Sequence, residues 1–328
     1  MTQYKILLFA LMLSFVACDT VVDVDIPDEP PRLVANAFLM ADSAVVLELT
    51  QSQSILSNAP LQPVSGATAI LLENDREVAT LEELNSGNYC ADFTPKVGNQ
   101  YTLRISKGGY ESVEATTSVR PAVVIQALEV DTVVSFYDGY DNNSDSIFTQ
   151  RDVRINEARL TFSDPAGERN YYEVTVYRYQ TYWEEVLNDQ GEYVESKPMR
   201  TLAPLYLRSD DSALTGAGDD FVEGDGGEAY GQVLSFSDDF FNSKTYTFRF
   251  IPEYYVDYYS QESSQDYKIY VTLRSIDEGR YRYLRSVDLQ YENDGNPFAE
   301  PVQVYSNVAN GFGIVSGSSA SQVTVDLR

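Results

Sequence analysis

Oxygen-bearing side chains fall at alternate positions in Asp141-Asn142-Asn143-Ser144-Asp145-Ser146-Ile147, and Asp152 is twelfth counting from Asp141. That spacing partly matches a loop that wraps a calcium ion, with Asp141, Asn143, Asp145 and Asp152 as the candidate ligands. Ser146 stands where the sharp turn wants glycine, Asp152 is shorter than the usual bidentate glutamate, and no helical pattern flanks the run. A solvated Asn/Asp turn is therefore the stronger reading. A second acidic, glycine-rich stretch, Asp219 to Glu228, has no ligand register and reads as a surface loop. Tyr254-Tyr255-Val256-Asp257-Tyr258-Tyr259 sets four tyrosines beside Glu253 and Glu262. Tyr254, Tyr255, Tyr258 and Tyr259 are thus the candidate surface for recognising a sugar, peptide or protein. With 25 tyrosines in the chain, most serve simply to fill half-buried strands.

The chain has no histidine, which removes Ser-His-Asp and Cys-His catalysis and His-ligated zinc or iron. No Gly-x-Ser-x-Gly elbow, Ser-x-x-Lys nucleophile or Walker loop stands in a supporting context. Glu184-Glu185 is a carboxylate pair, but fifty acidic residues make such pairs inevitable. The expectation is a protein that is not an enzyme and takes no cofactor. A net charge of −27 repels phosphate backbones and excludes nucleic acid as a partner.

Residues 1–17 carry Lys5 in a polar head, the apolar run Ile6 to Leu13, and Ser14-Phe15-Val16-Ala17 before Cys18. This reads as a secretory signal peptide, too short to span a bilayer. The Ala17-Cys18 junction resembles a bacterial lipobox, although Phe15 replaces the usual leucine. In a lipobox the cysteine is diacylated and becomes the new amino terminus. Acyl chains contribute about 0.8 kcal/mol per buried CH₂, so a lipidated Cys18 would hold the protein on a membrane. Cys90 is the only other cysteine and reads as a buried small apolar side chain in an alternating run. Residues 18–32 form an acidic, proline-rich tether. Its acids resemble the signal that sends lipoproteins of Bacteroidota to the outer face of the outer membrane.

Residues 33–120 offer short alternating runs at Leu33–Leu39, Ala44–Thr50, Ala67–Leu72, Tyr89–Phe93, Tyr101–Ser106 and Glu111–Val119, each separated by turn residues. This spacing predicts an N-terminal immunoglobulin-like β-sandwich. Arg120-Pro121 marks a boundary, and residues 121–328 read as a second, larger, Tyr-rich β-sandwich-like domain. There Tyr172, Val174 and Val176 alternate with Glu173, Thr175 and Tyr177, the pattern of a sheet with one face solvated. Over 277–291, Tyr281, Leu284, Val287 or Asp288, and Tyr291 recur every three or four residues behind Asp277, predicting one amphipathic helix with an Asp277 N-cap. Val302–Tyr305, Gly311–Val315 and Gln322–Leu327 read as closing strands, with Pro297 and Pro301 bracketing a core-filling Phe298.

Several segments together resemble one family: Cys18-Asp19 with its acidic tether, Pro31 to Leu39, Gly66-Ala67-Thr68-Ala69, Tyr281-Arg282-Tyr283-Leu284, and above all Pro297 to Gly313. The chain is similar to Bacteroidota lipoproteins carrying the domain of unknown function numbered 4249. The resemblance implies an outer-membrane location, an immunoglobulin-like first half and frequent encoding beside a TonB-dependent receptor. It supplies no catalytic motif. The function expected on these grounds is a cell-surface lipoprotein acting as a non-catalytic accessory subunit of a TonB-dependent β-barrel transporter. The alternatives are a structural subunit of an outer-membrane assembly or secretion complex, and a surface carbohydrate- or peptide-binding adhesin. Five Asp-Ser/Thr-aliphatic tripeptides, among them Asp42-Ser43-Ala44 and Asp211-Ser212-Ala213, also resemble an O-glycosylation motif of Bacteroidota envelope proteins.

Overall fold

Leu33, Ala35, Ala37 and Leu39 are fully buried and the residues between them are not, so the period of two in the sequence is the pleat of a strand. The computed structural model describes residues 30–54, 57, 59–141, 146–187, 190, 193–214, 229–254, 268–293, 299–300 and 302–327. Its first eight strands are β1 (Leu33–Met40), β2 (Val45–Gln51), β3 (Gln62–Pro63), β4 (Thr68–Glu73), β5 (Arg76–Asn85), β6 (Asn88–Ala91), β7 (Gln100–Ser106) and β8 (Val113–Ser118). Then come β9 (Ile125–Asp141), β10 (Ser146–Ser163), β11 (Tyr171–Leu187), β12 (Tyr193–Pro204), β13 (Leu207–Ser209) and β14 (Ala229–Gly231). The chain continues through β15 (Leu234–Ser237), β16 (Thr245–Pro252), β17 (Lys268–Ile276), helix α1 (Glu278–Asn293) and β18 (Phe312–Asp326). The protein is mainly β with one helix among the described residues, as the sequence leads one to expect.

One sheet runs β12-β11-β17-β18-β1-β2-β6-β5-β4-β7-β8, with β3 beside β2 and β15 beside β11. The other runs β14-β13-β16-β10-β9. Strand β5 changes partner along its length: Arg76 to Leu81 pair with β4, and Glu82 to Asn85 with β6. This exchange lets the sheet fold over into a sandwich-like layer pair around Leu47, Leu49, Leu71, Tyr101 and Leu103. A second core gathers Leu160, Phe162, Tyr172, Phe236, Phe248 and Leu273 from β10, β11, β15, β16 and β17. It is strongly aromatic, with Phe236 stacked on Phe248 at 4.3 Å and Phe162 edge-on to Tyr172 at 5.1 Å.

Strand β18 serves both cores. Phe312 to Ser318 run parallel to Val34 to Met40, and Ser318 to Asp326 run antiparallel to β17. The sequence reads as separate short strands here because Ser316 to Ser321 are small and mostly polar, yet they continue one ladder. Gly313 has φ +105°, and a Cβ there would lie 2.2 Å from the Ala35 carbonyl oxygen. At Gly317 a Cβ would lie 2.4 Å from the Ser118 carbonyl oxygen. Only glycine lets the backbones approach this closely.

Asp277 fixes the start of α1, as the sequence predicts. Its Oδ1 accepts the Arg280 N–H at 2.7 Å, an N-cap bond. Its Oδ2 accepts the Gly317 N–H at 3.0 Å and the Thr117 hydroxyl. One carboxylate therefore ties α1 to β8 and β18. Burial pushes the Asp277 carboxyl above its ordinary range, and these three donors pull it back. The second anchor of α1 is Glu173, 3% exposed, which meets Arg274 Nε at 3.0 Å and Arg280 Nε at 2.7 Å. The Arg280 guanidinium also lies over the Phe38 ring at 5.0 Å, and Tyr281 stacks on Tyr171 at 4.8 Å.

Several expectations change. The face of β11 carrying Glu173 and Thr175 is buried rather than solvated, because α1 supplies Arg280 to Glu173. Strand β5 is absent from the sequence reading because Arg76-Glu77-Val78-Ala79 and Leu81-Glu82-Glu83-Leu84 are rich in helix formers. Val302 to Tyr305 make no ladder; the nearby Ala309 forms a single bridge to Glu114. Cys90 is half-buried, on the face opposite the buried Tyr89 and Ala91, and its thiol is free. Phe298 lies outside the described residues.

Gly313→Ala is expected to lower unfolding stability by about 3 kcal/mol or more, since it adds both a clash and an unfavourable φ. Urea denaturation checks this, and an unchanged midpoint would mean that β1 and β18 do not pack this tightly. Glu173→Ala strands two guanidinium groups and is expected to cost about 3 kcal/mol, read as a lowered melting temperature.

Candidate functional site

Helix α1 is held at its first turn by Asp277 and further along by Ser286, whose Oγ accepts the Tyr305 N–H at 2.8 Å, and the helix face that carries Asp288 borders a groove. Leu284, Arg285, Val287, Asp288, Tyr291 and Glu292 form one wall of a groove with a cavity volume of about 560 Å³. The opposite wall is Tyr206, Leu214, Tyr230 and Val233, and Ser235 lies on its floor. This volume lies within the range of small-molecule sites, about 300–1,000 Å³.

The wall facing α1 is held by local chemistry. Tyr206 and Tyr230 stack at 5.1 Å with an interplanar angle of 11°, and the Tyr230 hydroxyl donates to Glu253 at 3.1 Å. The Glu253 N–H donates to the Tyr206 carbonyl at 2.7 Å, which ties the strand connection bearing Tyr206 to the end of β16. Leu214 is presented by a turn built on Asp211, itself 2% exposed. Asp211 accepts the N–H groups of Ala213 at 3.0 Å and Arg249 at 2.9 Å, and the Tyr246 hydroxyl. A short polar residue is needed there because the turn's buried N–H groups have no ladder partner.

The groove has an uneven charge. Asp288 is open to water within the groove, but protein crowds around it and that partial loss of bulk solvent pushes its carboxyl up to about 6. Arg285 pulls in the other direction. Glu292, one turn further, is also pushed up, first by burial and then by the charge of Asp288. Leu234 and Phe236 point into the second core, so alternation along β15 turns Ser235 toward α1. Ser235 is 5% exposed, and its hydroxyl has no hydrogen-bond partner among the described residues.

A second cavity, about 440 Å³, lies at the start of α1 and is lined by Thr117, Asp277, Arg282, Tyr305 and Asn307. Its polar groups are largely committed to structure: Asn307 exchanges hydrogen bonds with Val315 at 2.7 and 2.9 Å, and Asp277 is the joint described above. It is a seam rather than a receptor.

The sequence candidates fall elsewhere. Tyr254 is 6% exposed within the second core, with the Arg178 guanidinium over its ring at 5.2 Å, so it forms no open recognition surface. Tyr255, Tyr258 and Tyr259 lie outside the described residues, as do Cys18, Asn143, Asp145 and the acidic run Asp219 to Glu228. Asp141 closes β9 opposite Ser146, while Asp152 pairs with Ser135 well down the hairpin. At a rise of about 3.3 Å per residue, Asp152 is roughly 20 Å along the hairpin from Asp141, so these two described members of the candidate calcium set are not brought together. Among the described residues no cluster of acidic or cysteine side chains has metal-ligand geometry. The groove itself escaped the sequence reading because its helical stripe has the same period as a core-facing one. The signal that distinguishes it is Asp288 interrupting the apolar stripe, with Glu292 four residues later.

The family model for the domain of unknown function DUF4249 matches residues 19–324. No curated protein and no solved structure matches the chain.

The raised Asp288 carboxyl has a defined pH signature. Between the ordinary aspartate value and about 6 the folded state holds more protons than the unfolded chain, so stability falls as pH rises through that window. Asp288→Asn is expected to flatten this dependence and to stabilise the protein above pH 6. Denaturation midpoints measured from pH 4 to pH 7 for both proteins check it.

Proposed function

The chain belongs to the DUF4249 family, and we propose that it is an outer-membrane, surface-exposed lipoprotein acting as a non-catalytic accessory subunit of a TonB-dependent β-barrel transporter. The observation that carries this reading is the open groove beside α1, sized for a small molecule and walled by stacked tyrosines on a rigid β frame. Such a groove binds and releases; the barrel transports. Acyl chains on Cys18, joined to the body by the proline-rich tether, confine the groove to the membrane plane. Confinement raises its effective concentration for a neighbouring barrel even when the contact is weak.

A second reading, a structural subunit of an outer-membrane assembly, is favoured by apolar side chains on the long hairpins. Val133, Val134 and Phe136 on β9, and Tyr193, Val194 and Met199 on β12, are more than 40% exposed. Exposed apolar strands of this kind suit a permanent protein contact.

Affinity purification of the tagged endogenous protein from membranes in mild detergent tests both readings. A stoichiometric TonB-dependent barrel supports the accessory subunit. A complex of assembly or secretion components without such a barrel supports the second reading, and a protein recovered alone overturns both. Cys18→Ser is expected to move the protein out of the membrane fraction, read by blotting after carbonate extraction.

A further inference from the structure

Among the described lining residues of the groove, the charged groups are Arg285, Asp288 and Glu292, all on α1, while the facing wall supplies the phenols of Tyr206 and Tyr230, the Gln232 amide and no charged side chain. Two carboxylates and one guanidinium leave the site with an excess negative charge. Both carboxylates are penalised for being charged where they stand. Opposite them are a stacked tyrosine pair and the apolar side chains of Leu214 and Val233. Beneath them lies Ser235 Oγ, buried and without a hydrogen-bond partner among the described residues.

We propose that the groove binds a small organic cation, an ammonium or guanidinium group carried on a ring-bearing apolar body. The proposal rests on the accessory-subunit reading and names the class of ligand that the groove would capture. The cationic group sits against Asp288 and Glu292, where it offsets the repulsion between them and their loss of hydration. The ring lies against the Tyr206–Tyr230 wall, which offers π faces to an aromatic body and electrostatic attraction to the adjoining cation. Charge complementarity selects this occupant: an anion of the same shape would face two carboxylates with only Arg285 in its favour, and a neutral analogue would add nothing to the one positive charge, Arg285, beside them.

The test is calorimetric titration of the full mature protein in mild detergent with phenethylamine, tyramine and tryptamine, each against a neutral analogue such as phenethyl alcohol. The amines are expected to bind at least about tenfold more tightly than the alcohols, with affinity falling as salt rises. The double variant Asp288→Asn, Glu292→Gln is expected to lose that tenfold advantage while keeping the alcohol affinity. Tyr230→Ala is expected to weaken amine and alcohol alike. Because Asp288→Asn is expected to stabilise the fold above pH 6, loss of binding in the double variant, with its melting temperature retained, reports on the site. Equal affinity for amine and alcohol, no amine binding up to about 10 mM, or unchanged binding by the double variant would overturn the proposal. If a barrel co-purifies and the amines fail, the ligand class is wrong and the accessory reading stands. If the amines bind and no barrel is found, the reverse holds.

Discussion

The double pairing of β18 is the constraint on which the rest of the structure depends. A strand from the end of the chain lies parallel to β1 over its first half and antiparallel to β17 over its second, so one continuous ladder joins the two cores. Parallel pairing between residues as far apart as Ala35 and Gly313 contributes nothing until most of the chain is in place. Loop closure over that distance is slow and late compared with the hairpins that flank it. Gly313 and Gly317 are needed because the strand passes so near the Ala35 and Ser118 backbones that a Cβ would overlap them.

Charge does the complementary work at the same seam. Asp277 and Glu173 are both nearly enclosed, and both are fully engaged: one by the N–H groups of Arg280 and Gly317 and the Thr117 hydroxyl, the other by two arginines. A buried carboxylate is a poor source of net stability, but it is intolerant of any other arrangement. These two residues fix where α1 starts and which face it lays on β11. Ser286 then holds the helix to Tyr305, and the face that carries Asp288 borders the groove.

This arrangement also separates rigidity from exposure. On the wall facing α1, the Tyr206–Tyr230 pair is held through Glu253 and the Leu214 turn through Asp211, so that wall does not depend on the ligand for its shape. Preorganised walls limit the entropy lost on binding. The acids on the opposing helix face are the groove's carboxylates, and loss of bulk solvent disfavours the charged form of both.

The sequence by itself determined a β-rich protein with one helix. Strands such as β1, β2, β7 and the first half of β11 show their period of two because one face of each must be apolar to fill a core. The Asp277 cap was equally legible, being a local interaction between a side chain and an N–H three residues on. Strand β5 was hidden because its residues favour a helix and only its neighbours β4 and β6 hold it extended. Strand β18 read as separate pieces because its centre is made of small polar residues whose burial comes from the other chain segments pressed against them. Only the tertiary structure decided the groove. An apolar stripe on α1 looks the same in sequence whether it meets a core or an open space, and Tyr206, Tyr230 and Asp288 acquire a common purpose only when folding brings them face to face. It likewise removed Tyr254 from the surface and set Asp152 far from Asp141, since proximity along the chain does not survive the extension of a β-hairpin.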